Sequence, residues 1–243
     1  MQLSNKNILI TGATSGVGAQ LVEQLYRQNT LHIIARDQNK IDKLIARHPK
    51  IICYRADLSD MGQVQKVTAE ILSQHLKLDL LINNAAVQYS TKFTDQHFNP
   101  DTISHEINTN FTAVCYLSYA LLPALTKQTK SLILNINSGL GLIPKTSSAV
   151  YCATKGAINI FSQSLEQQLE TSNIRVLQAF LPLVDTLMTQ GRGQTKLTVQ
   201  QAATYIIRGI EKQTRQNDIG KVKLLRILLK ILPSVAKNIM RKY

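Results

Sequence analysis

The first chemically suggestive feature is a tyrosine and a lysine four residues apart, Tyr151 and Lys155, in the segment VYCATKGAINI at 150–160. The segment has helical periodicity, and residues i and i+4 share one face of a helix. A free tyrosine has a pKa of about 10, and an ammonium group one turn away lowers that pKa by favouring the phenolate. The pair is therefore predicted to transfer protons. The alternative is an exposed tyrosine and lysine with no chemical role, since such pairs are also common on helix surfaces.

A glycine-rich loop, TGATSGVG at 11–18, follows the first predicted strand and opens a predicted helix. Glycines in such a turn permit positive φ and bring the main chain close to a pyrophosphate, and the free N–H groups at the helix start attract its charge. The spacing is GxxxGxG rather than the commoner GxGxxG, and a tight turn without a ligand is the alternative. The residues predicted to hold dinucleotide phosphates are Gly12, Thr14, Ser15, Gly16, Val17 and Gly18.

The end of the second predicted strand reads Ala35-Arg36-Asp37 and bears on the choice of cofactor. Sites for an unphosphorylated ribose usually place Asp or Glu here, whereas the planar guanidinium of Arg36 suits a 2′-phosphate. This pattern predicts NADP(H) in preference to NAD(H). The alternative is that Arg36 is only solvated and that Asp37 only caps the helix beginning near Gln38.

Short apolar runs alternate with helical patterns along the chain, which predicts one α/β domain. Because the apolar runs would be buried on both faces, the fold class is a single Rossmann-like, doubly wound parallel β-sheet of about seven strands, with helices on both faces in a three-layer α/β/α arrangement. We expect this domain to span 1–218 and a basic appendage to span 219–243. The predicted strands are 7–11, 31–35, 51–56, 78–83, 131–137 and 174–181, and the predicted helices are 17–28, 38–47, 61–74, 102–125 and 149–170.

Composition narrows the class of protein. Three cysteines in 243 residues, with no CxxC or Cys/His spacing, predict neither a disulfide framework nor a metal site. No apolar run reaches the roughly 18 residues needed to cross a bilayer, so we expect a soluble, cytoplasmic protein. The net charge is +13, but the sequence has no motif typical of nucleic-acid recognition, so no nucleic-acid partner is expected.

Together, these elements and motifs resemble the classical short-chain dehydrogenases/reductases, over nearly the whole chain to about residue 215. The stretches INTNFTA and VDT also resemble bacterial members associated with cell-wall D-alanylation genes. One departure is the stretch LPLVDT at 181–186, where the family usually has Pro-Gly ahead of a threonine. The matching pieces are TGATSGVG, Asp57-Leu58, Asn83-Asn84-Ala85-Ala86, Asn110, Ser138 in INSG, and Tyr151 with Lys155.

The resemblance implies an NAD(P)(H)-dependent oxidoreductase that transfers a hydride between the cofactor and a carbonyl or secondary alcohol. Tyr151 would be the general acid/base, Lys155 would also hold the nicotinamide ribose, and Ser138 would orient the substrate oxygen. Asn110 would support a water that links Lys155 to solvent. Further cofactor contacts implied by the resemblance are Asp57, Leu58, Asn84, Ala85, Pro182 and Thr186, and a capping role is the alternative for Asp57.

The alternative function is a catalytically quiet module that senses NADP(H) or docks on a membrane or partner. The intact set of Ser138, Tyr151 and Lys155 favours the enzyme. In the enzyme, the substrate pocket would lie among 87–98, 139–148 and 183–196, and the substrate would be a rather apolar carbonyl or alcohol. Apolar residues predicted to surround it are Val87, Leu140, Leu142, Ile143, Leu187 and Met188.

The last 23 residues, 221–243, carry seven basic side chains and no acid, and a proline at 233 interrupts their amphipathic pattern. Such a segment is predicted to pack over the substrate mouth or a sister subunit, with weak contact to a membrane surface as the alternative. We expect a homodimer or homotetramer formed through the fourth and fifth predicted helices.

Overall fold

Seven parallel strands form one sheet in the order β3-β2-β1-β4-β5-β6-β7. The computed structural model describes residues 1–193 and 195–241. The predicted fold class is confirmed, and the strand order reverses between β1 and β4, where crevices form in sheets of this kind. The strands are β1 Asn7–Thr11, β2 Thr30–Ala35, β3 Ile52–Arg55, β4 Leu80–Asn83, β5 Ser131–Ser138, β6 Ile174–Leu181 and β7 Gln216–Asp218. Only β7 was not located from the sequence, because its three residues, QND, carry no apolar pattern.

Helices cover both faces because successive side chains of a buried strand point to opposite sides of the sheet. Ile8 and Ile10 of β1 pack with Leu21 of the first helix, and Leu9 packs on the other face with Val67 of the third. The helices are α1 Gly16–Leu25, α2 Gln38–Arg47, α3 Met61–Ser73, α4 Asp101–Ile107, α5 Ala113–Ala120, α6 Leu122–Leu125, α7 Ala149–Gln168, α8 Val199–Glu211, α9 Lys221–Ile231 and α10 Pro233–Arg241.

The predicted helix at 102–125 is not continuous. A π-helical turn, Asn108–Thr112, separates α4 from α5, and α5 ends at Ala120 before the short α6. Pro123 accounts for the second interruption, since proline lacks an N–H and its ring clashes with the carbonyl four residues earlier. The π turn adds a residue to the helix, and both Thr109 and Asn110 are buried within it.

The C-terminal segment forms α9 and α10, separated at Pro233 as the sequence predicted. The Arg226 guanidinium pairs with both carboxylate oxygens of Asp218 and lies 4.7 Å from the centre of the Phe180 ring. The Thr146 hydroxyl donates to the Arg241 carbonyl at 2.7 Å. The tail is thereby attached to the ends of β6 and β7 and to the segment after β5.

Three residues of predicted segments, Gln194 in 183–196 and Lys242 and Tyr243 in the tail, lie outside the described residues. Across 1–193 and 195–241, no helix has the length and apolar character required to span a membrane.

A buried carboxylate, Asp79, links the starts of β1 and β4. It accepts hydrogen bonds at 3.0 Å from the Lys6 ammonium, the Asn7 backbone N–H and the Gln128 side-chain amide. Only 4% of Asp79 is exposed, so removing it leaves three donors without their acceptor in a largely dry site.

We predict that Asp79→Ala lowers the free energy of unfolding by about 3 kcal/mol, because breaking a buried, hydrogen-bonded ion pair strands the remaining partner. Urea denaturation at neutral pH measures this change. The matched control is Asp42→Ala on the exposed face of α2, where Gln38 is the one described residue that donates to Asp42, and its effect should stay within about 0.5 kcal/mol. Equal effects of the two substitutions would contradict the assignment.

Candidate active site

A crevice of about 370 Å³ opens at the carboxyl ends of the strands, where the sequence placed the ligand site. The structure brings every predicted cofactor residue to its wall, together with Ser138. Asn110 is absent from that wall. The predicted residues that line the crevice are Gly12, Thr14, Ser15, Gly16, Val17, Gly18, Arg36, Asp57, Leu58, Asn84, Ala85, Ser138, Tyr151, Lys155, Pro182 and Thr186.

The glycine loop packs so closely against neighbouring protein atoms that Gly12 and Gly18 have no room for a side chain. Gly12 and Gly16 adopt positive φ angles of 65° and 54°. A Cβ on Gly18 would lie 2.3 Å from the Gly12 carbonyl oxygen and 2.6 Å from the Asn84 amide nitrogen. The exposed main chain and the N-terminus of α1 therefore offer N–H groups to an anion, as a dinucleotide pyrophosphate requires.

Thr11 and Asn84 tie the ends of β1 and β4 together at the floor of the crevice. The Asn84 side-chain amide donates to the carbonyls of Thr11 and Gly12, at 2.9 and 3.1 Å. In return, the Thr11 hydroxyl accepts from the backbone N–H groups of Asn84 and Ala85, both at 3.0 Å. Sequence analysis did not single out Thr11; its only signal is its position immediately before Gly12.

Cationic side chains line the end of the crevice near β2. Arg36 is 59% exposed in its side chain and lies 3.5 Å from an Asp57 carboxylate oxygen. Lys40 also lines the crevice. Asp37 accepts from the Lys40 backbone N–H at 3.1 Å, which confirms that Asp37 caps α2.

Asp57 is not a helix cap. Its carboxylate accepts from the backbone N–H and the hydroxyl of Ser59, at 2.9 and 2.8 Å. Asp60 instead caps α3, accepting from the backbone N–H groups of Gly62 and Gln63. Asp57 is therefore held in place beside the crevice, next to Arg36.

The chemical centre consists of Ser138 at the end of β5 and of Tyr151 and Lys155 in the first turns of α7. The Lys155 ammonium is buried, donates to the Ile136 carbonyl at 2.8 Å and lies 5.8 Å from the centre of the Tyr151 ring. The Ser138 hydroxyl accepts from the Leu140 backbone N–H at 3.1 Å. The two buried groups thus share one face of α7, as their spacing predicted.

Burial dominates the electrostatics of this centre. It raises the pKa of Tyr151 to about 12, and a hydrogen bond with Ser138 only partly opposes it. Burial also lowers the pKa of Lys155 to about 8. The expectation that Lys155 lowers the pKa of Tyr151 is therefore not met, because the loss of hydration disfavours the phenolate and outweighs the hydrogen bond with Ser138. At neutral pH the phenol is a proton donor.

Asn110 lies behind the crevice and holds two elements in position. Its amide accepts from the Val87 N–H and donates to the Val87 carbonyl, both at 2.8 Å. It also donates to the Thr154 hydroxyl at 3.3 Å, and that hydroxyl donates to the Tyr151 carbonyl at 2.8 Å. Asn110 therefore fixes the loop after β4 against α7, while the expected water link to Lys155 stays a prediction.

Sequence analysis also did not single out Thr109, which lines the crevice, or Glu106, which is buried three residues earlier in the chain. The Thr109 hydroxyl is buried in the crevice wall and has no hydrogen-bond partner among the described residues, which suits a wall that receives a polar ligand. Glu106 is buried in α4 and accepts from the Tyr89 N–H at 3.2 Å; burial raises its pKa to about 7. In the sequence, Thr109 is recognisable only as the residue before Asn110, and Glu106 only as an acid inside a helical pattern.

The apolar wall is smaller than the sequence suggested. Val87, Leu187 and Met188 line the crevice. Leu140, Leu142 and Ile143 do not belong to its wall, because the chain turns away from the crevice after Ser138 in a short 3₁₀ turn, Gly139–Gly141.

Comparison with known proteins identifies relatives over most of the chain. The uncharacterized oxidoreductase DltE of Bacillus subtilis is 31% identical over 214 residues, which cover 88% of this chain and 82% of that protein. A short-chain dehydrogenase from Sphingobium yanoikuyae in complex with NADPH is 27% identical with a TM-score of 0.80, covering 88% of this chain and 87% of that one. A Burkholderia cenocepacia short chain dehydrogenase in complex with NADP is 21% identical with a TM-score of 0.88, over 99% of both chains.

The family model for short chain dehydrogenases matches residues 6–197, which include the glycine loop, Ser138, Tyr151 and Lys155. The resemblance carried by the sequence motifs is thus confirmed at the level of the family. The chain belongs to the short-chain dehydrogenases/reductases, a family of nicotinamide-dependent oxidoreductases.

Proposed function

We propose that this chain transfers a hydride between NADP(H) and a carbonyl or secondary alcohol, with Tyr151 as the general acid/base. One observation carries the proposal: the crevice joins the glycine loop to the buried phenol of Tyr151, the buried ammonium of Lys155 and the half-buried hydroxyl of Ser138. A nicotinamide cofactor supplies the hydride when bound. Its phosphates would lie against the glycine loop, which lines the crevice at the start of α1.

The chain's own residues would manage the proton and the substrate oxygen. In reduction, the Tyr151 phenol donates its proton to the carbonyl oxygen while the Ser138 hydroxyl hydrogen-bonds the same oxygen and orients it. The raised pKa of Tyr151 keeps that proton in place at neutral pH. In oxidation, the phenolate form of Tyr151 would accept the proton of the alcohol, so this direction requires Tyr151 to release its own proton first.

Lys155 would keep its charge at neutral pH, although burial lowers its pKa. Its pKa of about 8 leaves it protonated at pH 7, and its hydrogen bond to the Ile136 carbonyl holds it at the end of β5. A protonated amine at this place would hold the ribose hydroxyls of the cofactor and would be a source of the proton that Tyr151 gives up.

The preference for NADP(H) would come from Arg36 and Lys40, which give the β2 end of the crevice two cations suited to a 2′-phosphate. The carboxylate of Asp37, which an unphosphorylated ribose would need, is engaged in capping α2. This arrangement supports NADP(H) over NAD(H).

Self-association into a homodimer or homotetramer is also proposed. It is supported by Tyr119 of α5 and Ile160 of α7, large side chains that are mostly exposed on the two helices predicted to form the interface.

The alternative, a quiet NADP(H) sensor, is distinguished by Tyr151→Phe. We predict that this substitution lowers kcat by about a thousandfold and leaves the Kd for NADPH within about threefold, because only the transferable proton is lost. Turnover is followed by NADPH absorbance with a panel of ketones, aldehydes and alcohols. Tyr205→Phe on α8 is the matched control and should keep full activity. No turnover by the unmodified protein across the panel would favour the sensor.

For the cofactor, we predict that Arg36→Leu weakens NADPH binding by about tenfold and changes NADH binding by less than about threefold, since a charge-assisted contact is lost only from the phosphorylated ribose. Fluorescence titration gives both Kd values, and Arg47→Leu on α2 serves as the control. If the unmodified protein binds NADH as tightly as NADPH, the preference is wrong.

We predict that Lys155 lowers the stability of the fold and is nevertheless required for turnover. Its lowered pKa means that folding buries a charge at a cost, so Lys155→Met should raise the free energy of unfolding by about 2 kcal/mol at pH 7 while abolishing turnover.

The sign of the pH dependence follows from proton counting. Between pH 8 and 10.5 the unfolded chain binds a proton at this lysine that the folded chain has released, so the unmodified protein gains stability as pH rises through this window. The advantage of the variant should therefore shrink between pH 7 and pH 10 in urea denaturation. A control at the exposed Lys43, Lys43→Met, should show no such trend.

A further inference from the structure

Helix α9 is apolar on two opposite sides. Val222 is 2% exposed and, with Leu225, lies over Gly139, where a Cβ would be 3.4 and 3.3 Å from their methyl groups. At about 100° per residue, Leu224, Ile227 and Ile231 fall on the side opposite Val222. They are 67%, 54% and 69% exposed. We call these three residues the outer face of α9.

Such a helix needs a partner on its outer face, because the side that attaches it to the domain is already used. When a helix carries apolar side chains on two opposite sides, both sides are normally covered. Exposed apolar side chains also continue beyond the outer face, at Leu232 and at Val235 and Ile239 of α10. Together they form an unusually rich group of exposed large apolar residues for one short segment.

The flanks of α9 determine what chemistry that partner has. Lys223 and Lys230 fall together on one flank of the outer face, and Lys221 falls on the other. These lysines are exposed, and they make no ion pair among the residues of 1–193 and 195–241. The sequence has no acid from 219 to 243. The face is thus an apolar strip bordered by uncompensated positive charge.

We propose that the outer face of α9 binds the surface of an anionic lipid bilayer, with Leu224, Ile227 and Ile231 entering the interface and the flanking lysines contacting lipid phosphates. A second copy of this chain fits less well, because two such faces would bring their lysines together in a protein that already carries a net charge of +13. The inference is independent of the proposed hydride transfer, since the face lies outside the crevice.

Orientation follows from the same contacts. The inner side of α9 packs on Gly139, the residue after Ser138, and Thr146 of the same segment holds the end of α10. A bilayer on the outer face would therefore lie on the far side of the tail from the segment that follows the chemical centre. None of the described tail residues lines the crevice.

The first test is co-sedimentation of the full chain with vesicles. We expect binding to vesicles of phosphatidylcholine mixed with phosphatidylglycerol, little binding to phosphatidylcholine alone, and loss of binding in about 0.5 M NaCl, where surface charges are screened. If the protein stays in the supernatant with the anionic vesicles, the proposal is wrong.

Matched variants separate the outer face from general properties of the protein. The double variant Ile227→Glu, Ile231→Glu should reduce partitioning at least about tenfold, whereas Ile45→Glu, Ala46→Glu, which adds the same charge on the exposed side of α2, should not. Lys223→Glu, Lys230→Glu should reduce it similarly, whereas Lys43→Glu, Lys66→Glu changes the net charge by the same amount at distant exposed sites and should have little effect. Thermal unfolding by circular dichroism establishes that each variant remains folded.

Two further outcomes would overturn the proposal. Equal losses in the two lysine pairs would assign binding to net charge rather than to the flanks of α9. Dissociation of an oligomer by Ile227→Glu, Ile231→Glu in analytical ultracentrifugation, without vesicle binding by the unmodified protein, would assign the outer face to a second copy of the chain.

Discussion

The hydrogen bond from the buried Lys155 ammonium to the Ile136 carbonyl is the contact on which the geometry of the site depends. It joins the second turn of α7 to the end of β5 and thereby sets the position of Tyr151 relative to Ser138. A charged group in this place is costly, since it has lost most of its hydration and has one protein acceptor. Evidence of that cost is the lowered pKa of Lys155, to about 8. Strain of this kind is typical of functional sites.

Polar residues inside the sheet support this arrangement. The Asn83 side chain donates to Asn135 at 2.8 Å, and Asn135 donates to the Ser162 hydroxyl of α7 at 2.8 Å. Asn137, two residues further along β5, accepts from the Ser138 N–H through its side-chain oxygen and donates to the Gln178 side chain of β6 through its nitrogen. These bonds connect β4, β5, β6 and α7 by directional contacts, which specify a register that apolar packing alone defines less sharply. At the edge of the sheet next to the crevice, side-chain hydrogen bonds therefore add to the backbone ladder and to the apolar packing that the whole sheet shares.

The tail shows how one segment can serve the fold and still present a surface. Arg226, the tail's one basic residue paired with an acid among the described residues, satisfies Asp218 and stacks on Phe180, and so anchors α9 at the edge of the sheet. The other described basic residues of the tail point to solvent. An attachment made by one arginine and a few small or branched side chains leaves the opposite side of α9 free.

The sequence by itself determined the fold class, six of the seven strands, and many of the residues that meet in the crevice, because apolar periodicity and motif spacing are local properties of the chain. The tertiary structure decided what depends on distant neighbours. It interrupted the helix at 102–125, placed Asn110 behind the crevice rather than in its wall, and excluded Leu140 and Leu142 from it. Above all, it reversed the expected pKa shift of Tyr151, since spacing shows that an ammonium is near but only the surrounding atoms show how much water both groups have lost.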